Sequence, residues 1–258
     1  MTDKCVFQWK YKPENYFEEP VLFKTSYGEI LLENGSAKLE LDIDKFNGDY
    51  GIRYTLNEEL KIRFDAVLVL SHRPYELSEA TICRVNDDGQ NEYHLFLHDV
   101  VQMNCIDHLD LIVHDENGNI ISDTKRDRIE KRKTFSELMF RHKDNAVVKA
   151  ITNSYASSVY DKKNELIYLY EIRDALCRKF GNEDNIRTSL EISRPMLSSF
   201  RKLANDAPIN QGRHRGLKYE NLRSATEEEL ENARSTARLM IEKYLLYLEE
   251  KLLASNHD

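Results

Sequence analysis

The chain is most informative first for what it lacks. Its four cysteines, Cys5, Cys83, Cys105 and Cys177, are scattered with no CxxC pairing, so neither a disulfide framework nor a zinc knuckle is indicated. They read as reduced, mostly buried thiols. No apolar run approaches the roughly 18 residues a membrane-spanning helix needs, and Met1–Lys10 lacks the apolar core of a signal peptide. A cytoplasmic protein is expected, with no membrane contact. There is no Gly-rich phosphate loop followed by Lys-Ser/Thr, no GxSxG elbow and no HExxH, which removes support for nucleotide hydrolysis, esterase and zincin chemistry. No cofactor is expected.

Positive charge is scarce in the first half. Residues 1–120 hold 11 Lys or Arg against 23 Asp or Glu, a balance of −12, and residues 121–258 hold 26 against 22, a balance of +4. An acidic surface repels a nucleic-acid backbone, so a phosphate-bearing partner is expected on the C-terminal half. The most basic window is Lys125–Lys133, with six positive charges against two negative. Such a run reads as a solvated helix face or linker, and alternatively as a binding patch through Lys125, Arg126 and Arg128.

From Val21 to Val113 short segments alternate or run apolar over four to six residues: Glu29–Glu33, Lys38–Ile43, Lys61–Phe64, Ala66–Leu70, Tyr93–Leu97 and Leu109–Val113. Asn34-Gly35, Asn47-Gly48, Asp88-Gly89 and Asn117-Gly118 tolerate positive φ and close hairpins. The pattern predicts an antiparallel β sandwich or open barrel over residues 1–122. The aromatics near the N-terminus, Trp9, Tyr11, Tyr16, Phe17, Phe23 and Tyr27, read as an edge arm pinned to the domain surface or as the lining of a groove.

After Ser122 the apolar period becomes about 3.6. Val147, Val148, Ile151, Tyr155 and Val159 mark one helix, and Leu166, Leu169, Tyr170, Leu176 and Phe180 mark a second ending near Gly181. A third opens at Ser193 with Pro195 in its first turn and is expected to bury Met196, Leu197, Phe200 and Leu203. The last begins with the capping box Thr226–Glu229 and carries the stripe Leu230, Ala233, Ala237, Met240, Ile241, Tyr244, Leu245, Leu248 and Leu252. Residues 123–258 are thus expected to form a four- or five-helix bundle. The overall expectation is an α+β chain of two domains.

The chemically loaded stretch is Asn205–Gly216, which sets His214 between Arg213 and Arg215, with Gly212 and Gly216 on either side. Imidazole exchanges protons near neutral pH, whereas guanidinium stays charged and offers a planar fork to phosphate oxygens. The candidate catalytic residues are His214, Arg213 and Arg215, with Asn205 and Asp206 placed to orient a substrate. The other reading is a structural loop whose cations pair with nearby carboxylates. His94 and His98 with Asp99, His108, Asp110 and His114 invite a metal reading, but a strand separates His94 from His98 by about 13 Å, too far for one ion. No metal is expected. Arg141-His142 closes a basic helix and reads as structural.

Tyr168–Ile172, Phe200–Asp206 and Gly212–Gly216 ahead of a capped terminal helix resemble helical domains of uncharacterised bacterial proteins, and the layout is similar to a divergent HEPN domain. That resemblance implies a small helical bundle that dimerises and acts on or binds RNA, including metal-independent ribonucleases of toxin and phage-defence systems. The HEPN signature places an Arg four to six residues before a His. Here the nearest Arg upstream of the loop is Arg201. The resemblance therefore implies that Arg213 and Arg215 take the phosphate-stabilising role beside a proton-transferring His214, or that the domain is a non-catalytic relative. The alternative function is a dimeric adaptor or ligand sensor, with a protein partner on the β domain.

Overall fold

A computed structural model describes residues 4–42, 46, 49, 51–85, 91–94, 110, 112–114, 120–214 and 222–255. The fold is α+β: a curled N-terminal antiparallel sheet is followed by a helical C-terminal region. The chain divides into two units. One comprises Met1–Phe64 and Tyr75–Lys131, and the other Asp65–Pro74 and Arg132–Asp258.

The sheet contains β1 (Lys4–Lys12), β2 (Val21–Lys24), β3 (Glu29–Glu33), β4 (Ser36–Asp42), β5 (Glu76–Leu77), β6 (Thr81–Val85) and β7 (Asn91–His94), in the order β2-β3-β4-β1-β6-β7, with β5 pairing the end of β1. The N-terminal segment is thus a central strand and not an edge arm. Its alternation explains why: Cys5, Phe7, Trp9 and Tyr11 point inward and are buried, while Gln8 and Lys10 face out. Tyr16 stacks on Phe64 with ring centroids 5.3 Å apart, and its hydroxyl donates to the Phe64 carbonyl at 3.1 Å. Trp9, Tyr16 and Phe23 are core, whereas Tyr11 and Phe17 border a cleft of about 360 Å³ with Glu14, Glu18 and Pro20, and Tyr27 is exposed. Asn34 and Gly35 both have positive φ and close the β3–β4 hairpin as the dipeptide predicts. The other three hairpin dipeptides lie outside the described residues, as do Leu95–Leu97 of one expected strand and Leu109 and Leu111 of another. A separate two-stranded ribbon pairs β8 (Ile112–His114) with β9 (Ile120–Asp123).

Two expected strands are absent. Lys61–Phe64 and Ala66–Leu70 belong to one 20-residue helix, α1 (Ile52–Ser71). Leu56, Leu60, Phe64 and Val67 recur at helical spacing and are buried, whereas the run Val67–Val69 alone suits a strand equally well. In the sheet unit, Trp9 Nε1 donates to Asn57 Oδ1 at 2.6 Å, which ties this helix to β1.

The remaining helices are α2 (Thr124–Arg141), α3 (Ala146–Tyr160), α4 (Glu165–Phe180), α5 (Glu183–Ser189), α6 (Arg194–Arg201) and α7 (Glu227–Ser255). Asn145 caps α3 by accepting from the Val147 and Val148 amides. Gly181, at φ 93°, ends α4 by returning its N–H to the Cys177 carbonyl. The capping box of α7 forms in both directions: the Glu229 amide reaches Thr226 Oγ1 at 3.2 Å and the Thr226 amide reaches Glu229 Oε2 at 2.9 Å. α4 packs against α3 and α7 through Leu166, Leu169, Ile172 and Leu176. Two expected core positions are exposed, Met196 at 38% and Leu252 at 46%, and Val147, Phe180, Leu203 and Leu248 are only half-buried. Arg141 and His142 both grip Glu249, the latter at 2.6 Å, a structural clasp between α2 and α7. No described helix is long and apolar enough to cross a membrane.

Candidate functional site

The Arg-His loop is built by hydrogen bonds at its base. α6 runs into a π turn over Lys202–Asp206, closed by the Ala207 amide on the Lys202 carbonyl at 2.8 Å. The chain then doubles back: Ile209 bridges Arg223, the Asn210 amide donates to the Arg223 carbonyl at 2.9 Å, and the Ala225 amide donates to Gln211 Oε1 at 3.1 Å. Gly212 stands where the backbone folds on itself, since a Cβ there would meet the Ile209 carbonyl oxygen at 3.2 Å. The amides of Gly212 and Arg213 already donate to Ile209 and Ala204. They are therefore not free to cradle an anion.

The Arg213 guanidinium donates to Asp174 Oδ2 at 2.6 Å and lies 5.4 Å from the Tyr170 ring centroid. Arg173 also faces that ring, at 5.2 Å, and bonds to both Asp174 and Glu183. Tyr170 stacks on Phe200, with centroids 6.0 Å apart. Burial raises the Tyr170 phenol pKa above its usual value, opposed by the nearby charges of Arg173, Arg213 and Arg201. Arg201 and Arg213 thus act on one ring although 11 residues separate them in sequence. Arg213 remains 45% exposed and forms one wall of a cleft of about 670 Å³, with Ser154, Glu171, Cys177 and Arg178. The Cys177 thiol pKa is raised by burial, so it is a poor nucleophile at neutral pH. His214 is exposed beside this cleft's Arg213, and Arg215 lies outside the described residues.

The other expected site residues are placed as follows. Asn205 Nδ2 donates to Asp206 Oδ1 at 2.8 Å, at the end of the π turn. Lys125 and Arg126 are exposed near the start of α2. Arg128 forks onto Glu18 at 2.7 and 2.5 Å and reaches Asp110 at 2.8 Å, so its guanidinium is held within the sheet unit. Lys125, Arg126 and Arg128 belong to the sheet unit, and Arg213 and His214 to the helical unit. Among the described residues no group of His, Cys, Asp and Glu is placed to hold a metal ion, and His98, Asp99 and His108 lie outside them.

A second cluster in the helical unit has no signal in the sequence. Glu165 and Arg234 form a buried pair, with Nε to Oε1 at 2.6 Å, and Arg234 also reaches Glu227 at 2.5 Å. Beside them His72, at the end of α1 with φ 52°, packs edge-on against Tyr155, their centroids 5.7 Å apart. His72 Nε2 stands 3.5 Å from Glu165 Oε1 without hydrogen-bond geometry, and among the described residues neither its ring nitrogens nor the Tyr155 hydroxyl has a hydrogen-bond partner. Burial pushes the imidazole pKa down to about 3, aided by Arg234, Arg238 and Lys162. His72 is therefore neutral at physiological pH. Burial likewise raises the Tyr155 phenol pKa.

Comparison with known proteins finds no matching family model, no matching curated protein and no matching solved structure.

Proposed function

We propose that the helical unit binds a phosphate-bearing polymer, RNA in the first instance, through Arg213 and His214, with Arg201 and Arg178 contributing charge and Arg215 next in the loop. The observation that carries this reading is Arg213: Asp174 and Tyr170 fix its guanidinium in orientation, yet it stays 45% exposed on the wall of a cleft. A guanidinium held this way loses little freedom on meeting a phosphate. Binding ranks ahead of cleavage, because the Gly212 and Arg213 amides are already bonded and cannot stabilise a developing charge. A place in a bacterial defence or toxin system follows from the HEPN resemblance.

The test is fluorescence anisotropy with a labelled single-stranded RNA across a salt series, with cleavage followed in EDTA. Arg213→Ala is expected to weaken binding and to flatten the salt dependence by about 0.7 in log–log slope, one phosphate contact on a single strand. Unchanged affinity and slope would overturn the proposal. RNA cleavage abolished in a normally melting His214→Ala variant would instead establish a ribonuclease.

A second reading, a non-enzymatic dimeric adaptor, is favoured by one observation: the loop's amides are bonded within its own fold and Arg213 ties it to Asp174 of α4. In it the loop is a structural clasp, and dimerisation uses the exposed Leu246, Leu252 and Leu253 of α7. It predicts a lowered melting temperature for Arg213→Ala and no RNA binding.

A further inference from the structure

Opposite in character to the charged cleft is a groove of about 760 Å³ between α6 and the first turns of α7. Met196, Phe200 and Leu203 recur at i, i+4 and i+7 along the α6 side, and Ala233 lies on the α7 side. This explains why Met196 remains 38% exposed although its spacing marks it as core: it faces the groove. Ser199, Asn232 and Ser235 supply hydrogen-bonding groups at the rim. Lys202 sits at the point where α6 widens into the π turn, a local irregularity that often accompanies binding sites.

The charges of the groove are unequal. Arg223 and Glu229 form a forked pair at 2.6 and 2.7 Å, neutralising each other at one end. Lys202 lines the same groove, is exposed, and has no carboxylate partner among the described residues. The lining therefore presents an apolar floor, a few polar groups and one uncompensated positive charge. The volume suits a small molecule.

We infer that this groove is a second binding site, for a small amphipathic molecule with a flat apolar body and a single anionic group. The apolar body lies on Met196, Phe200 and Leu203, and the anion meets the Lys202 ammonium. Two of its walls, Ala207 and Arg223, are also residues that close the base of the Arg213–His214 loop. A ligand in the groove thus contacts the anchors of that loop.

Anilinonaphthalene sulfonate has this shape and charge, and N-phenylnaphthylamine is its uncharged counterpart. Fluorescence titration of the full-length chain is expected to show saturable, one-to-one binding of the sulfonate. Lys202→Gln should weaken the sulfonate about tenfold and leave the uncharged probe unaffected. Ser199→Trp, which changes an exposed rim residue, should remove both by filling the groove, and Met196→Glu, also exposed, should weaken both probes, the sulfonate more because the new carboxylate repels it. Circular dichroism identifies any variant that fails to fold, and the remaining variants then decide. Non-saturable binding, or affinities unchanged in folded Lys202→Gln and Met196→Glu, would overturn the assignment.

Discussion

Glu165 is 1% exposed and its partner Arg234 is 10% exposed, so neither charge has water to fall back on. Glu165→Ala is expected to destabilise the protein by roughly 1.5–3 kcal/mol, because Nε and Nη2 of Arg234 lose their buried carboxylate while Nη1 keeps Glu227. Asp174→Ala removes a 29% exposed carboxylate shared by Arg213 and Arg173, of which Arg173 keeps Glu183, and should cost no more than about 1 kcal/mol. Urea unfolding of the two variants separates them, and similar losses would contradict the difference in burial. His72 adds a pH dependence. Its folded pKa of about 3 lies below the unfolded value of 6.5, so the unfolded chain binds the proton more readily. Its contribution is fully present above pH 6.5 and is lost as pH falls toward 3. From pH 7 to pH 5 this one group should remove roughly 2 kcal/mol. A chemical-denaturation series in His72→Gln should show a shallower loss over that window, and an unchanged slope would show that His72 is not the group responsible.

At the scale of elements, the local signals in the sequence were the most legible. Pro195 at the start of α6, Gly181 at the end of α4 and the capping box of α7 act within a few residues, so their chemistry is visible in the chain alone. Thr226→Ala should cost about 1 kcal/mol by removing the cap on the Glu229 amide, measurable as a lowered melting temperature. The second half of α1 was not legible, because Val67, Leu68 and Val69 satisfy a buried strand as well as a buried helix, and only packing decides. Likewise β1 reads as an aromatic-rich arm until its pairing with β4 and β6 makes it central. The loop was legible as a chemically active segment, but not its partners: Asp174 lies 39 residues from Arg213. The His72, Tyr155, Glu165 and Arg234 cluster draws on the end of α1 and on α3, α4 and α7, and left no local trace.

At the scale of the whole molecule, the expected division at residues 122 and 123 is a single cut, whereas the two units are each assembled from two separate stretches. Asp65–Pro74 belongs to the helical unit and brings His72 against Tyr155. A fragment beginning at Arg132 lacks that piece, so it should melt at lower temperature than the helical signal of the intact protein. Adding a peptide of residues 65–74 should restore part of the loss. A fragment as stable as the intact chain would show that the α1 end contributes little. The sheet unit holds the other consequence of this division. Trp9 is the chain's sole tryptophan, wholly buried on β1 with its indole N–H on Asn57. Under excitation selective for tryptophan the protein therefore carries one emitter, confined to the sheet: that emission reports the opening of β1, while the Arg213 loop, the Lys202 groove and the His72 cluster can all come apart without moving it.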